Sequence, residues 1–559
     1  MRHSSCLRRP LIAALVVLLA GAAGKAAPAA PSLVVVVSLD QFRADYLERF
    51  RAYYGKGGFN LFLERGAVFV DCHYRHSVTK TACGHSVMLT GVHAAQHGII
   101  ANDWVDRTTL SQVSCVGDET APIVGLPPPS GPQRPGLDNP YLGRSPRNLL
   151  VTTVGDELKL ARGGRPKVIG VSIKDRSAIL MAGRLADAAY FMEEDRMVTS
   201  TYYQTQLPPW VTNWNEAKKV ASYFGKVWDR VLPEAAYAQQ GPDDVAAELV
   251  SHGLGRTLPK RVDGGETTPG AKFSAAFENT PFQSEVLADF AKTVVENENL
   301  GRRGVTDVLC VSFSTPDTIG HAYGPDSHEV MDNAVRTDRI LADFFRFLDR
   351  WVGLTECTLV LTADHGASPM PEVVLATQRG VPAGRVKSAE VVKVTEAALN
   401  ERFGSLANHE RWLVNDDASL IIHPAALAEK KVPAVEVERV VQAALLTLPY
   451  VRAAYTRTDL MRGEAPGEAG RRMLASFNRE RSGDILFQLQ PYFILSSRVS
   501  GTTHGTPYNY DTHVPLLWYG VGVTPGVRTE RVGVDDLAPT LSRILGLPAP
   551  PLAEGRVLF

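Results

Sequence analysis

Short runs of apolar, mostly β-branched residues, each followed by polar residues, constrain the fold of this chain most. Four of them, SLVVVVSLD, KVIGVSI, DVLCVSFS and TLVLTADHG, have the length and composition of strands buried on both faces of a sheet. Helical patterns lie between such runs, within 284–297 and over 333–351. The alternation of strand and helix predicts an α/β fold with a mainly parallel central sheet flanked by helices.

Three stretches interrupt this alternation, and we expect them to be insertions into one catalytic domain that spans residues 31–559. Residues 118–148 are rich in proline and glycine and have the composition of a surface loop. Residues 190–282 are irregular and aromatic, which predicts an inserted lobe. Residues 386–500 carry helix and strand patterns of their own and predict a second inserted lobe.

The first thirty residues have the pattern of a signal peptide. Arg8 and Arg9 precede an apolar run over 11–23, and an alanine-rich stretch with several possible cleavage sites extends to about Ala30. The apolar run is shorter than the roughly 20 residues that a membrane-spanning helix needs. We therefore expect cleavage and export to the periplasm or beyond, with an uncleaved anchor as the alternative.

Charge and cysteine content exclude some classes of function. The formal net charge is −1, whereas a nucleic-acid-binding protein is usually clearly basic. No C-x-x-C pair is present, so a cysteine zinc site has no support. Export permits a disulfide, and Cys72–Cys115 is one pairing that the sequence leaves open. The five cysteines after the leader are Cys72, Cys83, Cys115, Cys310 and Cys357.

Carboxylates and histidines follow the predicted strands, where the ligands of open α/β sheets bind. Six such side chains are the right number and type for two zinc ions with three protein ligands each, and three ligands leave each ion a position for water or substrate. An isolated D-x-x-x-H or D-H-G can equally be a turn or a helix cap. The six are Asp40, Asp317, His321, Asp364, His365 and His504.

One threonine is a candidate nucleophile beside these groups. Thr81 lies in TKTACGH, just before a segment with a helical pattern. The start of a helix offers free N–H groups that suit a phosphate, but a threonine hydroxyl attacks only when a base or a metal activates it. An ordinary N-cap is the alternative interpretation. A hydroxyl nucleophile beside two metal ions would indicate phosphoryl transfer.

Two cations follow the second strand run. Lys174 and Arg176 are two positions apart, so on a continuing strand they would share one face, with Asp175 on the other. Arginine can bind two phosphate oxygens at once, and lysine acts as a point charge. A solvated K-D-R turn is the alternative.

Six segments, in order, resemble the alkaline phosphatase superfamily over nearly the whole chain after the leader. The likeness is greatest to the exported, phosphate-irrepressible alkaline phosphatases, which are relatives of the nucleotide pyrophosphatase/phosphodiesterases. The segments are VSLDQFRADYL, TKTACGHSVMLTGVHAAQHGIIANDW, VSIKDRSAIL, SFSTPDTIGHAYGP, LTADHGA and HGTPYNYDTHVPL. The resemblance implies an alkaline-phosphatase-like core with inserted lobes.

The resemblance also implies a role for each matching position. Thr81 would be the phosphorylated nucleophile and a ligand of one of two Zn²⁺ cofactors. The other ligands of that ion would be Asp40, Asp364 and His365. The second Zn²⁺ would be held by Asp317, His321 and His504.

Other matching positions would bind the substrate or support the structure. Asn102 would donate to a phosphoryl oxygen, and Lys174 and Arg176 would form the pair typical of monoesterases. Cys83 stands where the family usually has a proline, and no Cys-x-Pro-x-Arg sulfatase pattern is present. The histidines expected to be structural are His85, His93, His97 and His513.

The implied function is that of an exported alkaline phosphatase that hydrolyses phosphate monoesters through a phosphothreonine. Its partners would be small phosphorylated substrates, with no nucleic acid, no membrane anchor after signal cleavage and a monomeric state. A phosphodiesterase or nucleotide pyrophosphatase with the same metals and nucleophile is the alternative, since only Lys174 and Arg176 argue against it. A metal-stabilised binding protein without activity is a third possibility, which the intact set of ligands disfavours.

Overall fold

The structure is a computed structural model that describes residues 30–129, 136–137, 139–408 and 411–559. The predicted signal peptide, apart from Ala30, lies outside the described residues. No helix of the described part of the chain combines the length and the apolar character needed to cross a membrane.

The strands, in chain order, are β1 Leu33–Leu39, β2 Ala67–Phe69, β3 Cys72–His73, β4 Asp103–Val105, β5 Gln112–Ser114, β6 Ile123–Val124, β7 Val168–Ser172, β8 Ala188–Glu193, β9 Arg196–Ser200, β10 Val227–Trp228, β11 Lys260–Arg261, β12 Asp307–Phe313, β13 Cys357–Thr362, β14 Gly384–Val386, β15 Leu413–Asp416, β16 Ser419–Ile422, β17 Val451–Thr456, β18 Ile485–Leu489, β19 Phe493–Leu495, β20 Leu516–Gly520, β21 Gly526–Arg528 and β22 Val532–Gly533.

The α-helices, numbered in the same way, are α1 Tyr46–Arg49, α2 Phe59–Arg65, α3 Thr81–Thr90, α4 Ala94–His97, α5 Val154–Ala161, α6 Asp175–Ala182, α7 Pro209–Glu216, α8 Ala271–Glu278, α9 Phe282–Asn297, α10 Thr315–Tyr323, α11 His328–Trp351, α12 Pro371–Thr377, α13 Ser388–Phe403, α14 Pro424–Lys430, α15 Ala434–Leu446, α16 Arg457–Arg462, α17 Gly467–Ser476, α18 Asn509–Thr512 and α19 Leu537–Ile544.

A ten-stranded sheet forms the centre of the molecule, in the order β21-β2-β20-β13-β1-β12-β7-β8-β9-β6. The five strands from β13 to β8 are parallel, and β20, β9 and β6 pair antiparallel with their neighbours. Every residue of β1, β12, β7 and β13 is buried, which explains their unbroken apolar runs. The prediction of an α/β fold with a mainly parallel central sheet is confirmed.

Helix boundaries differ from the predicted ones where a local cap decides them. The helix predicted within 284–297 is α9, which begins at Phe282. The helix predicted over 333–351 begins five residues earlier, at His328, because the Ser327 side chain accepts a hydrogen bond from the Val330 N–H and caps it. The apolar stripe marked the body of this helix but not its polar first turn.

The two predicted lobes contain regular structure. Within 190–282, β9 and all but the first two residues of β8 belong to the central sheet, so the residues outside that sheet begin after Ser200. The segment 386–500 carries a four-stranded sheet in the order β15-β16-β18-β17, which packs on its own apolar core with α13 and α15. We refer to residues 386–500 as the C-terminal lobe.

The five cysteines after the leader are all buried thiols and form no disulfide. The candidate pairing Cys72–Cys115 is therefore wrong. Cys72 lies in β3, which pairs with β22, whereas Cys115 follows β5, which pairs with β4. Burial raises the pKa of the Cys83 thiol to about 12, so this neighbour of Thr81 is not a reactive thiolate.

Candidate active site

The carboxyl ends of three adjacent parallel strands place the predicted ligands together. Asp40 directly follows β1, and Asp364 and His365 follow β13 after one alanine. Asp317 and His321 lie one turn apart in α10, which begins two residues after β12. All lie at the edge of the sheet where open α/β folds bind ligands.

Asp40, Asp364 and His365 form the first triad. All three are fully buried, and their ligand atoms lie within 4.8 Å of one another. His365 Nε2 is 3.5 Å from Asp40 Oδ1 and 3.3 Å from Asp364 Oδ2. Neither of these two buried carboxylate oxygens receives a hydrogen bond from the described residues.

Asp317, His321 and His504 form the second triad. Their ligand atoms also lie within 4.8 Å of one another. Asp317 Oδ1 is 3.1 Å from His321 Nε2 and 3.8 Å from His504 Nε2. The ring of His504 stacks on that of His365, with centroids 3.5 Å apart, so the two triads lie side by side.

The tautomers of the three histidines suit metal ligation. Each Nδ1 lies 2.7 to 2.9 Å from a backbone carbonyl, which can only accept, so each Nδ1 carries the proton. Burial lowers the pKa of His365 and His504, which keeps both rings neutral. Each Nε2 therefore presents a lone pair toward carboxylate oxygens, an arrangement that a divalent cation stabilises. The donor set, nitrogen and carboxylate oxygen in groups of three, fits Zn²⁺.

Lys174 lies between the two triads. Its ammonium group donates to Asp40 Oδ2 at 2.7 Å and to Asp317 Oδ2 at 2.5 Å, one carboxylate from each triad. Burial and the nearby carboxylates of Asp317 and Asp364 raise the pKa of Asp40, because three negative charges crowd this point. The ammonium group offsets part of that repulsion.

Thr81 is the first residue of α3 and is buried at the edge of the first triad. Its hydroxyl oxygen lies 3.4 Å from His365 Nε2. Lys80, and not Thr81, occupies the N-cap position, and its side chain makes no capping bond. The alternative in which Thr81 is an ordinary N-cap is therefore wrong, and its hydroxyl is free to face the triads.

Asn102 lies next to Thr81. Its side-chain oxygen accepts a hydrogen bond of 2.9 Å from the Ala82 N–H, in the first turn of α3. This bond fixes the orientation of the amide, so that its NH₂ group is the part left to donate to a ligand.

The sequence suggested that Lys174 and Arg176 share one face of a continuing strand, but in the structure neither residue lies on a strand. β7 ends at Ser172, Lys174 is the N-cap of α6, and Arg176 lies in its first turn. The chain turns because Lys174 N–H bonds back to Ser172 Oγ at 3.2 Å. Asp175 accepts a hydrogen bond of 2.5 Å from Arg144. Arg176 Nε is buried without a hydrogen-bond partner among the described residues.

Sequence reasoning missed Gln41, which links the two triads. Its backbone N–H donates to Asp364 Oδ1 at 3.1 Å, and its side-chain amide donates to Asp317 Oδ1 at 2.6 Å. Gln41 has a φ of 64°, a conformation uncommon outside glycine. Its position directly after Asp40 is the one signal that could have pointed to it.

Two glycines let the elements of the site approach each other. A Cβ on Gly84 would lie 2.1 Å from the backbone oxygen of Asp364, and one on Gly366 would lie 2.1 Å from that of Tyr510. The first contact allows α3 to pack directly on the turn that carries the first triad.

The other histidines of these segments stay outside both triads. His85 is hydrogen-bonded through both ring nitrogens, to the Thr81 carbonyl and to Ser312 Oγ, each at 2.8 Å. His513 bonds the Val70 carbonyl and stacks on His73. Asp71, His73 and His513 form a third group with metal-ligand spacing. Within it His73 Nε2 is hydrogen-bonded to Asp71, and His73 Nδ1 is hydrogen-bonded to Thr512.

Comparison with known proteins agrees with this geometry. The family model described as type I phosphodiesterase / nucleotide pyrophosphatase matches residues 34–505. The chain is 33% identical to alkaline phosphatase PhoV of Synechococcus elongatus (95% of this chain, 92% of the relative). It is also 33% identical to alkaline phosphatase PafA of Elizabethkingia meningoseptica (94% of this chain, 93% of the relative).

Solved structures of PafA share the fold. The wild-type structure superposes with a TM-score of 0.86 at 32% identity, covering 95% of this chain and 98% of that one. A mutant of PafA (TM-score 0.84, 31% identity, the same coverage) has a threonine, an asparagine, a lysine and an arginine replaced, in that order. The chain thus belongs to the type I phosphodiesterase / nucleotide pyrophosphatase family and, within it, to the alkaline phosphatases.

Proposed function

We propose that this protein is an exported alkaline phosphatase that hydrolyses phosphate monoesters through a phosphothreonine at Thr81, with one Zn²⁺ in each triad. The observation that carries the proposal is a pair of triads beside a threonine hydroxyl at a helix N-terminus. All members of the triads except the partly exposed His321 are buried, and their converging atoms are carboxylate oxygens and histidine Nε2 atoms. The names and the whole-length similarity of PhoV and PafA support it. Export rests on the predicted leader alone.

Thr81 is the residue that exchanges bonds in this mechanism. Its hydroxyl loses a proton and the oxygen forms a bond to phosphorus while the ester P–O bond breaks, and the leaving oxygen takes up a proton to give the alcohol. Water then loses a proton and forms a new P–O bond, the bond to Thr81 breaks, the Thr81 oxygen regains a proton, and phosphate is released. When bound, the two Zn²⁺ ions supply positive charge that favours deprotonated oxygens and neutralises the phosphoryl group and the leaving oxygen. Asp40, Asp364 and His365 would hold the first ion. The second triad would hold the other ion through Asp317, His321 and His504.

Three side chains bind and orient the phosphoryl group. The NH₂ group of Asn102 donates to one non-bridging oxygen, since its carbonyl oxygen is already fixed by Ala82. Lys174 lies between the triads and reaches an oxygen placed there. Arg176 adds guanidinium donors, of which Nε has no partner among the described residues. The four residue types replaced in the PafA mutant are those of Thr81, Asn102, Lys174 and Arg176.

The experiment is elemental analysis combined with a paired substrate assay on the purified, exported form. We expect two zinc ions per chain. We also expect faster hydrolysis of the monoester phenyl phosphate than of the diester diphenyl phosphate. Removal of metal by a strong chelator should abolish both activities, and added zinc should restore them. Full activity of metal-free protein would refute the metal assignment, and a preference for the diester would support the phosphodiesterase alternative instead.

A further inference from the structure

The two ends of the proline- and glycine-rich segment 118–148 are bound to each other. The Ser145 hydroxyl donates to Asp118 Oδ2 at 2.5 Å, and the Asp118 N–H donates to the Gly143 carbonyl at 2.8 Å. A Cβ on Gly143 would lie 2.0 Å from the backbone oxygen of Asp118, so the two ends are in close contact. These bonds fix the backbone on both sides of Arg144, which lies between Gly143 and Ser145.

The side chain of Arg144 is directed into the protein. It is 6% exposed, whereas the side chain of Arg147 in the same segment is 57% exposed. Arg144 Nη1 donates to the Leu142 carbonyl at 2.6 Å, and Nε donates to Asp175 Oδ2 at 2.5 Å. The segment thereby reaches the first turn of α6, where Asp175 is the first helical residue. Removing one partner from such a buried ion pair leaves the other charge uncompensated.

Asp175 lies between two arginines and uses one oxygen for each. Oδ2 is bonded to Arg144, whereas Oδ1 accepts the backbone N–H of Arg176 at 2.6 Å. The distance from Oδ1 to Arg176 Nη1 is 3.6 Å, which is longer than a hydrogen bond. The carboxylate therefore lies beside the guanidinium group of Arg176 without binding it closely.

Arg176 is close to both triads. Helix α6 packs on α3, the helix that begins with the proposed nucleophile. Lys174, two residues before Arg176, donates to Asp40 and to Asp317. Burial lowers the pKa of the Arg176 guanidinium, but nearby anionic groups raise it by more, and these include the carboxylates of Asp175, Asp40 and Asp317. A phosphoryl group held between the triads is thus within the electrostatic range of Arg176.

We propose that Arg144 is a positioning residue for monoester hydrolysis: it neutralises Asp175, so that Asp175 orients Arg176 while the Arg176 guanidinium stays available to the phosphoryl group. The inference rests on the proposed function, since it assumes that Arg176 binds a phosphoryl oxygen. Without Arg144, Asp175 would have Arg176 as its only ion-pair partner among the described residues. A bidentate arginine–carboxylate pair would then compete with the substrate for the guanidinium group.

The test measures kcat/KM for phenyl phosphate and for diphenyl phosphate in the wild type and in Arg144→Met. We expect the preference for the monoester to fall by about tenfold or more, which is the effect of losing one charge-assisted contact. Competitive inhibition by inorganic phosphate should weaken by a similar factor, at unchanged zinc content. Arg144→Lys, which retains the charge, should keep more of the preference. Arg147→Met removes an exposed ion pair with Asp118 and is the matched control, which should change neither measurement.

A double-mutant cycle separates positioning from a general loss of structure. In an Arg176→Ala background, Arg144→Met should change the monoester preference by less than about twofold, because Arg144 acts through Arg176. Adding Asp175→Asn to Arg144→Met should restore much of the preference, because the competing carboxylate charge is gone. This double variant also contains no unpaired buried carboxylate at position 175, so its result does not depend on tolerance of that charge.

The outcomes distinguish this inference from the proposed function. Equal losses on the two esters in Arg144→Met, or the same tenfold fall in the Arg176→Ala background, would overturn the positioning role and leave the proposed function standing. Wild-type monoester activity in Arg176→Ala would overturn the role of Arg176 in the proposed function, and the role of Arg144 with it.

Discussion

At the scale of single residues, the site is a set of acceptors that backbone groups hold in place. Carbonyls fix the proton on Nδ1 of His321, His365 and His504. The backbone N–H of Gln41 donates to Asp364 and its side-chain amide donates to Asp317, so this residue joins the two carboxylates. Residue type and position after strands predicted four of the six candidate ligands, whereas His504 lies in a loop rich in glycine and threonine. Gln41 could not be predicted in the same way, because an amide that donates to carboxylates has no characteristic spacing in a sequence.

Selectivity between monoesters and diesters belongs to this scale. A monoester dianion has one more anionic oxygen than a diester for Lys174 and Arg176 to bind. Each lost charge-assisted contact costs roughly 1.5–3 kcal/mol, or about tenfold to a hundredfold in rate. The double variant Lys174→Ala/Arg176→Ala should therefore lose far more activity on a monoester than on a matched diester. The measurement is kcat/KM for both substrates, in wild type and variant at equal zinc content. An equal loss on both would mean that these cations do not recognise the monoester charge.

Gln41 is not one of the proposed metal ligands, but its side chain should increase the affinity for zinc. Gln41→Met keeps the backbone bond to Asp364 but removes the amide that donates to Asp317. Loss of such a hydrogen bond to a metal ligand typically costs about 10- to 100-fold in affinity. Zinc titration against a competing chelator measures this. Gln96→Met, at an exposed pair with Glu554, is the control, and wild-type affinity in Gln41→Met would contradict the linking role.

At the scale of elements, the packing of α3 against the turn after β13 brings nucleophile and first triad together. Gly84→Ala should raise the intrinsic stability of the helix by about 1 kcal/mol. The added Cβ would lie 2.1 Å from a backbone oxygen of Asp364, so we expect a net destabilisation of about 1–3 kcal/mol instead. Urea unfolding measures the free energy. Gly255→Ala, where a Cβ meets open space, should be nearly neutral, and a stabilised Gly84→Ala would contradict the close approach.

Element boundaries show where sequence reasoning reached its limit. The four buried strands and the body of α11 follow from apolar pattern, which is strong where both faces are buried. The turn at Lys174 could not be predicted from the apolar pattern, because the change from strand to helix after Ser172 involves a local hydrogen bond from Lys174 N–H to Ser172 Oγ. The sequence suggested a continuing strand for Lys174 and Arg176, whereas the structure places both at the start of α6. Both cations are nevertheless close to the triads.

At the scale of the whole molecule, residues from 40 to 504 meet at one edge of a single sheet. The order of the central strands explains this, since β13, β1 and β12 are neighbours although they are far apart in the chain. The sequence predicted this convergence through the rule that ligands bind at the carboxyl ends of parallel strands. It could not predict that the C-terminal lobe reaches back to Lys80 through Asp417, because no pattern specifies which surface a lobe covers.

The most direct test of the account is to locate the phosphoryl group during turnover. The enzyme is mixed with phenyl phosphate, quenched rapidly in acid and mapped by peptide mass spectrometry. We predict phosphate on Thr81, and we predict that Thr81→Ala keeps its fold and its zinc but shows neither phosphopeptide nor appreciable turnover. Phosphate on Thr79, or wild-type turnover in Thr81→Ala, would contradict the claim that Thr81 is the nucleophile.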